Sequence, residues 1–278
     1  MPIAADQIEL KQFIRKVAES ERSALLLDYD GTLAPFSVDR QKALPYPGIV
    51  PVIQEIMASG RTRVVIVTGR SAHEVVPLLG IYPHPVIWGT HGLEQLQPDG
   101  TYEMSPLGED ASNALTDADR WLSARGFQSF AEHKPGSIAV HWRGLAESRA
   151  LELRQEVLRG WFPIAQQALL AVSEFDGGVE MRVPDLDKGD AVRAIATEMG
   201  HEIPIAYLGD DTTDERAFDA VANRGLSVLV RPEWRKTSAQ AWLRPPEELL
   251  DFLTGWMDAC YNRPPQIRRR MLTHEGAL

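Results

Sequence analysis

Two carboxylates, Asp28 and Asp30, stand two residues apart in the string DYDGTL, directly after the apolar run Ala24–Leu27. At a strand end this spacing lets both side chains reach a common cation and a phosphate, one acting as nucleophile and the other as acid and base. A second concentration of acid, GDDTTDE, places Asp210, Asp211 and Asp214 at another strand end. Left unpaired, so much negative charge would repel itself, which implies a bound divalent cation. Few nitrogen or sulfur donors lie nearby, and hard oxygen ligands select Mg²⁺ over zinc. Phosphate also needs donors and positive charge. Thr68 carries a hydroxyl beside backbone N–H groups at a strand-to-helix turn, and Lys188 opens a helix as a fixed cation. Phosphoryl transfer depends on positioning and charge neutralisation, and this set supplies both.

These residues need elements to hold them, and helix-period and strand-period segments alternate along the chain as in an α/β fold. Unbroken apolar runs at Ala24–Leu27, Val64–Val67, Val86–Trp88, Ile203–Leu208 and Leu226–Val230 predict parallel strands covered on both faces. Helices are expected over 6–20, from Pro47 to Gly60, from Ser71, over Ala191–Met199 and from Asp214. The strands end in Asp28, in Thr68-Gly69-Arg70, in Gly89-Thr90-His91-Gly92 and in Gly209-Asp210-Asp211. Ligands of an open parallel sheet sit beyond the carboxyl ends of its strands, so these ends should line one crevice.

Between Pro98 and Val183 the texture changes. A helix over 111–124 precedes the alternating strands Ser129–Lys134 and Ser137–Arg143; a helix over Leu145–Arg159 and strands near Leu169–Phe175 and Val179–Val183 follow. The expected organisation is a core of 1–97 and 184–262, an inserted α+β domain of 98–183 hinged near Gly100 and Pro184, and a solvated tail of 263–278. In the insertion, Glu132 and Lys134 share a strand face, as do His141 and Arg143, and Glu180 and Arg182. Trp142 and Met181 alternate out of phase with the polar face and are expected in the core of the insertion, and His133 lies on the face opposite Glu132.

Composition narrows the class. The balance 29 − 39 = −10 leaves no basic footprint for nucleic acid or an anionic membrane. Cys260 is the single cysteine, which excludes an internal disulfide and a cysteine-built zinc site. With 44% hydrophobic and 24% charged residues and no run approaching the ~18 apolar residues of a membrane span, a soluble cytoplasmic protein is expected.

The four elements Asp28-x-Asp30, Thr68, Lys188 and Asp210-Asp211 resemble the haloacid dehalogenase (HAD) superfamily of phosphatases. The strings DYDGTLAPF, TGR, GTHGLE, EHKPGSIAVHWR, VEMRVPDLDKGDA and GDDTTDERAF further resemble the trehalose-6-phosphate phosphatase family. The resemblance implies a Rossmann-like core with a parallel sheet and an inserted cap, or lid, of C2 type. It implies that Asp28 becomes an aspartyl phosphate, that Asp30 protonates the leaving alcohol and then activates water, and that Thr68 and Lys188 hold the phosphoryl oxygens. Asp28, the carbonyl of Asp30 and Asp210 are the implied Mg²⁺ ligands, supported by Asp211 and Asp214. Substrate contacts are implied at Glu132, Lys134 and Glu180, and expected also at Gly69, Arg70, His141 and Arg143. The second motif carries threonine at 68, where relatives commonly have serine; both bring the hydroxyl. The implied activity is hydrolysis of trehalose 6-phosphate, and a monomer is expected. Any coupling to a synthase would be between separate chains, since the first helix begins almost at residue 1. A phosphatase for another glucosyl phosphate, such as glucosylglycerol phosphate, and an inactive sugar-phosphate-binding subunit are the alternatives.

Overall fold

The computed structural model describes residues 3–37, 39–175, 177–183 and 187–262. The expected tail and the hinge near Pro184 lie outside them. The chain opens with α1 (Ile3–Glu19), then runs β1 (Ser23–Leu27), α2 (Ile49–Ala58), β2 (Thr62–Val67), α3 (Ala72–Leu79), β3 (Val86–Gly89), β4 (Glu94–Leu96) and β5 (Tyr102–Met104). Next come α4 (Glu109–Arg125), β6 (Ala131–Lys134), β7 (Ser137–His141), α5 (Glu147–Gln167), β8 (Ala171–Phe175) and β9 (Gly178–Arg182). The last stretch is α6 (Lys188–Met199), β10 (Ile205–Gly209), α7 (Glu215–Ala222), β11 (Leu226–Val230), β12 (Ala241–Leu243) and α8 (Glu247–Tyr261).

One sheet has the order β12-β11-β10-β1-β2-β3-β4-β5, parallel from β12 to β3 and antiparallel at β4 and β5. Alternate residues of its central strands face opposite layers. Leu25, Leu27, Val64 and Ile66 pack with Phe13 of α1, Ile53 of α2, Val75 of α3 and Trp256 of α8. Ala24, Leu26, Val65 and Val67 pack with Val192 of α6 and Phe218 of α7. Both faces being covered explains why these strands read as unbroken apolar runs. β1 lies between β2 and β10, so the carboxyl ends of all three open into one crevice.

The second sheet, β6-β7-β9-β8, is antiparallel. Its inner face (Ile138, Val140, Val179, Met181) packs against Leu122 of α4 and Trp161 of α5, with Trp142 at the margin. Met181 and Trp142 thus lie where alternation places them, and Cys260 is buried in α8.

Three expectations change. Tyr102–Met104 is an edge strand of the large sheet, so the boundary expected at 98 falls too early. Gly100, at φ +86°, turns the β4–β5 hairpin and is not a crossing between the units. Both strands are three residues long and β5 is wholly exposed, so no apolar pattern marks them. Helix α5 also continues past Arg159 to Gln167. Gly160 does not stop it, because a Cβ there would lie 2.2 Å from the Trp121 ring; the glycine serves close packing of α4 on α5. Among the described residues no helix is long and apolar enough to cross a membrane.

Candidate active site

The site grows from the ends of β1 and β10. The parallel ladder carries one residue beyond β1, where Asp28 N donates to Leu208 O at 2.9 Å, and this brings Asp28 beside Asp210. The chain then turns through Gly31 at φ +81°, where a Cβ would sit 2.1 Å from Asp210 Oδ2; only glycine meets both demands. Asp28, Asp210 and Asp214 offer carboxylate oxygens all within 4.8 Å of one another, and all three residues are buried.

Lys188 enters this cluster from the first residue of α6. Asp187 caps the helix, its carboxylate accepting from Asp190 N at 3.1 Å, and Asp190 accepts in return from Asp187 N at 3.1 Å. So fixed, Lys188 Nζ donates to Asp28 Oδ1 at 2.6 Å and to Asp214 Oδ1 at 2.8 Å. Asp214 Oδ1 also accepts from Tyr207 Oη at 2.6 Å, and its Oδ2 from Asp210 N at 3.0 Å and Asp211 N at 2.9 Å. With four donors, Asp214 braces Lys188 and the backbone of the acidic loop, and has no lone pair left for a cation. Asp211 is half-exposed, 3.8 Å from Arg231 and outside the three-carboxylate cluster.

One lysine does not balance three carboxylates. Burial, with Asp214 adding to it and Lys188 opposing, pushes Asp28 up to about 7. Burial followed by repulsion from Asp28 and Asp214 pushes Asp210 up to about 9. For Lys188, burial is outweighed by Asp214 and Asp28, which hold its pKa above the usual lysine range. The Asp210 carboxylate accepts no hydrogen bond from any described residue. An all-oxygen pocket short of positive charge, with Asp28 and Asp210 offering free acceptors, fits a hard divalent cation.

Beyond β2, Thr68 is buried and its hydroxyl accepts from Arg70 N at 3.1 Å. Arg70, expected as a substrate contact, is buried and already committed: it holds Asp30 through Nε and Nη2 and the Arg40 carbonyl through Nη1, at 2.6, 2.5 and 2.7 Å. Gly69 lies directly under the ring of His91.

The outer face of the second sheet turns toward this crevice. Its register aligns Glu132, Ala139, Glu180 and Ser173 in one row, and Lys134, Ser137, Arg182 and Ala171 in the next. Between Glu132 and Glu180, Ala139 is fully buried. Lys134 Nζ lies 3.4 Å from Glu180 and 3.8 Å from Glu132, and Ser137 Oγ donates to Glu180 at 2.9 Å. His141 Nε2 donates to Glu132 at 2.7 Å, and Arg40 of the core reaches across to Glu132 at 2.6 Å. Burial raises the Glu132 carboxyl, but the His141 hydrogen bond and the charges of Lys134 and Arg40 outweigh it and hold the group down to about 2. Arg143 is exposed at the rim, and His133 faces the other way, 2.8 Å from Asp119.

Two cavities fill the space between the sheets. One of about 430 Å³ is lined by Asp28, Asp30, Thr68, Lys188 and Asp210; the other, of about 770 Å³, by Lys134, His141, Glu180 and Arg182. Arg40, His91, Phe175 and Lys188 line both. Sequence pattern singled out none of Arg40, Phe36 and Phe175 of the first cavity. His91, in the strand-end string GTHG, carried a local signal.

Residues 26–243 match the trehalose-phosphatase family. The chain belongs to that family. Among its trehalose-phosphatase relatives, the trehalose-phosphate phosphatase of Mycobacterium marinum is 34% identical over 248 residues, 83% of this chain and 60% of that protein. The chain thus spans about three-fifths of the curated relatives it matches. The C-terminal domain of Candida albicans trehalose-6-phosphate phosphatase superposes with a TM-score of 0.70 at 18% identity, over 89% of this chain and 96% of that one. A haloacid dehalogenase-like hydrolase from B. subtilis gives 0.54 at 16% identity, over 84% and 99%. At those identities the likeness is one of fold, that of a HAD core with a cap.

Proposed function

We propose that this trehalose-phosphatase family member is a Mg²⁺-dependent phosphatase that hydrolyses trehalose 6-phosphate to trehalose and phosphate through an aspartyl phosphate on Asp28. The observation that carries the reading is the placement of Asp28, braced by Lys188, in a cavity that shares Arg40, His91, His141 and Lys188 with a second cavity lined by Lys134 and Glu180. The names of the relatives support the sugar.

Lys188 Nζ and the Thr68 hydroxyl receive the phosphoryl oxygens. An Asp28 carboxylate oxygen attacks phosphorus, the bond from phosphorus to the sugar oxygen breaks, and the Asp30 carboxyl gives that oxygen its proton. Asp30, now ionised, takes a proton from water, whose oxygen attacks the phosphoryl group; phosphate leaves and Asp28 is restored. Arg70 fixes Asp30 for both transfers. Mg²⁺ held by Asp28, Asp210 and the Asp30 carbonyl would supply the charge neutralisation that phosphoryl transfer needs. On the cap, carboxylates and a lysine give charge-assisted hydrogen bonds to an uncharged polyol.

Phosphate release from trehalose 6-phosphate, glucosylglycerol phosphate, glucose 6-phosphate and p-nitrophenyl phosphate, with and without EDTA, tests the reading. A preference for trehalose 6-phosphate that EDTA abolishes and Mg²⁺ restores is expected. Activity that survives chelation, or a preference for another phosphate, overturns it.

A further inference from the structure

The loop after β3 is strained and over-determined. Thr90 and His91 both have left-handed backbones, at φ +47° and +58°, which side chains other than glycine rarely adopt. Strain of this kind persists where surrounding contacts hold it. Thr90 N donates to Arg70 O at 2.8 Å and His91 N to Thr68 O at 2.9 Å. The buried Glu94 accepts from the Thr90 hydroxyl and from Ala72 N at 2.8 Å each with Oε1, and from Tyr102 Oη at 2.8 Å with Oε2.

This scaffold presents one side chain. The imidazole of His91 is laid on Gly69, where a Cβ would come within 2.6 Å of its Cε1 and 2.7 Å of its Nε2, so the glycine makes room for the ring. The ring lines both the phosphoryl cavity and the cap-side cavity, and makes no hydrogen bond to any described residue. It therefore stands at the junction where an ester joining phosphate to sugar must lie.

We propose that His91 determines specificity by hydrogen-bonding a hydroxyl of the sugar ring that carries the phosphate; this rests on the sugar phosphatase reading above. A hydroxyl both donates and accepts, and a neutral imidazole does the same. Phosphoryl oxygens only accept, and Lys188 and Thr68 already serve them. Burial and the charge of Lys188, with Arg182 and Lys134 acting in the same direction and Glu180 against them, bring the His91 pKa down to about 4, so the ring is neutral at pH 7.

The left-handed backbone supplies clean variants. Glycine and asparagine both tolerate φ near +58°, so His91→Gly and His91→Asn remove the ring's reach while relieving strain. Both should melt no lower than wild type. The test compares kcat/KM on trehalose 6-phosphate and glucose 6-phosphate with that on p-nitrophenyl phosphate, which lacks the ring hydroxyls. The expected result is a fall of about tenfold in the ratio of either sugar phosphate to p-nitrophenyl phosphate, the scale of one lost hydrogen bond. If wild type prefers sugar phosphates but all three substrates lose equally in the variants, His91 serves the phosphoryl end or the fold and this inference fails alone. If wild type shows no preference for sugar phosphates, both readings fail.

Discussion

Arg70 closes on both carboxylate oxygens of Asp30, Nε to Oδ2 at 2.6 Å and Nη2 to Oδ1 at 2.5 Å, while its third nitrogen holds the carbonyl of Arg40. Arg40 in turn reaches the second sheet through Glu132. Two arginines therefore connect Asp30 to the outer face of the second sheet, and only a planar fork can make the first connection with two parallel bonds.

Arg70→Lys keeps the charge and loses the fork. If Asp30 is the proton donor, a sugar alkoxide needs its proton to leave, whereas p-nitrophenolate does not. Turnover of trehalose 6-phosphate should fall on the order of 10²-fold, with a much smaller loss on p-nitrophenyl phosphate. Equal losses on the two substrates would show that Arg70 supports something other than proton transfer.

Asp28→Asn removes the charge of the proposed attacking oxygen and one of three mutually repelling carboxylates, while Lys188 keeps its bond to Asp214. Turnover should drop below about a hundredth of wild type, and the metal-free melting temperature at pH 8 should stay level or rise. A variant that retains more than about a tenth of the activity is incompatible with Asp28 as the nucleophile.

The raised pKa values of Asp28, about 7, and Asp210, about 9, set a sign for stability against pH. The folded state binds these protons more tightly than the unfolded chain, so their contribution is present at low pH. It is lost as pH rises from the ordinary carboxylate range through about 7 and then about 9. Mg²⁺ needs the ionised forms, so the rise in melting temperature on adding Mg²⁺ should grow from pH 5 toward pH 9. Differential scanning fluorimetry with and without millimolar Mg²⁺ reads this directly, and a Mg²⁺ shift that shrinks with pH contradicts the assigned ligands.

Glu180→Ala leaves Lys134 and Ser137 without their shared acceptor on the outer face of the second sheet. If that face reads the disaccharide and drives closure over the phosphate, kcat/KM on trehalose 6-phosphate should fall by about 10² relative to p-nitrophenyl phosphate. An unchanged ratio would assign Glu180 to the integrity of the sheet.

The placement of the candidate site residues at strand ends was legible because it follows from local pattern. A parallel strand covered on both faces must be an unbroken apolar run, its end is where the run stops, and Asp28, Thr68 and Asp210 stand at such ends. Alternation likewise separates Glu132 and Lys134 from His133 without reference to any partner.

The tertiary structure alone decided what those groups do to one another. Asp214 has the same chemistry in the sequence as Asp210, yet its oxygens meet four donors from Lys188, Tyr207 and the loop backbone while those of Asp210 meet none among the described residues. Arg40 meets Glu132 across 92 positions, and Glu132 aligns with Glu180 only through the register of β6, β7 and β9. Periodicity within a segment records which face is buried; it holds no record of which distant segment comes to lie against that face, because pairing is settled by packing and register between elements rather than by either element's own residues.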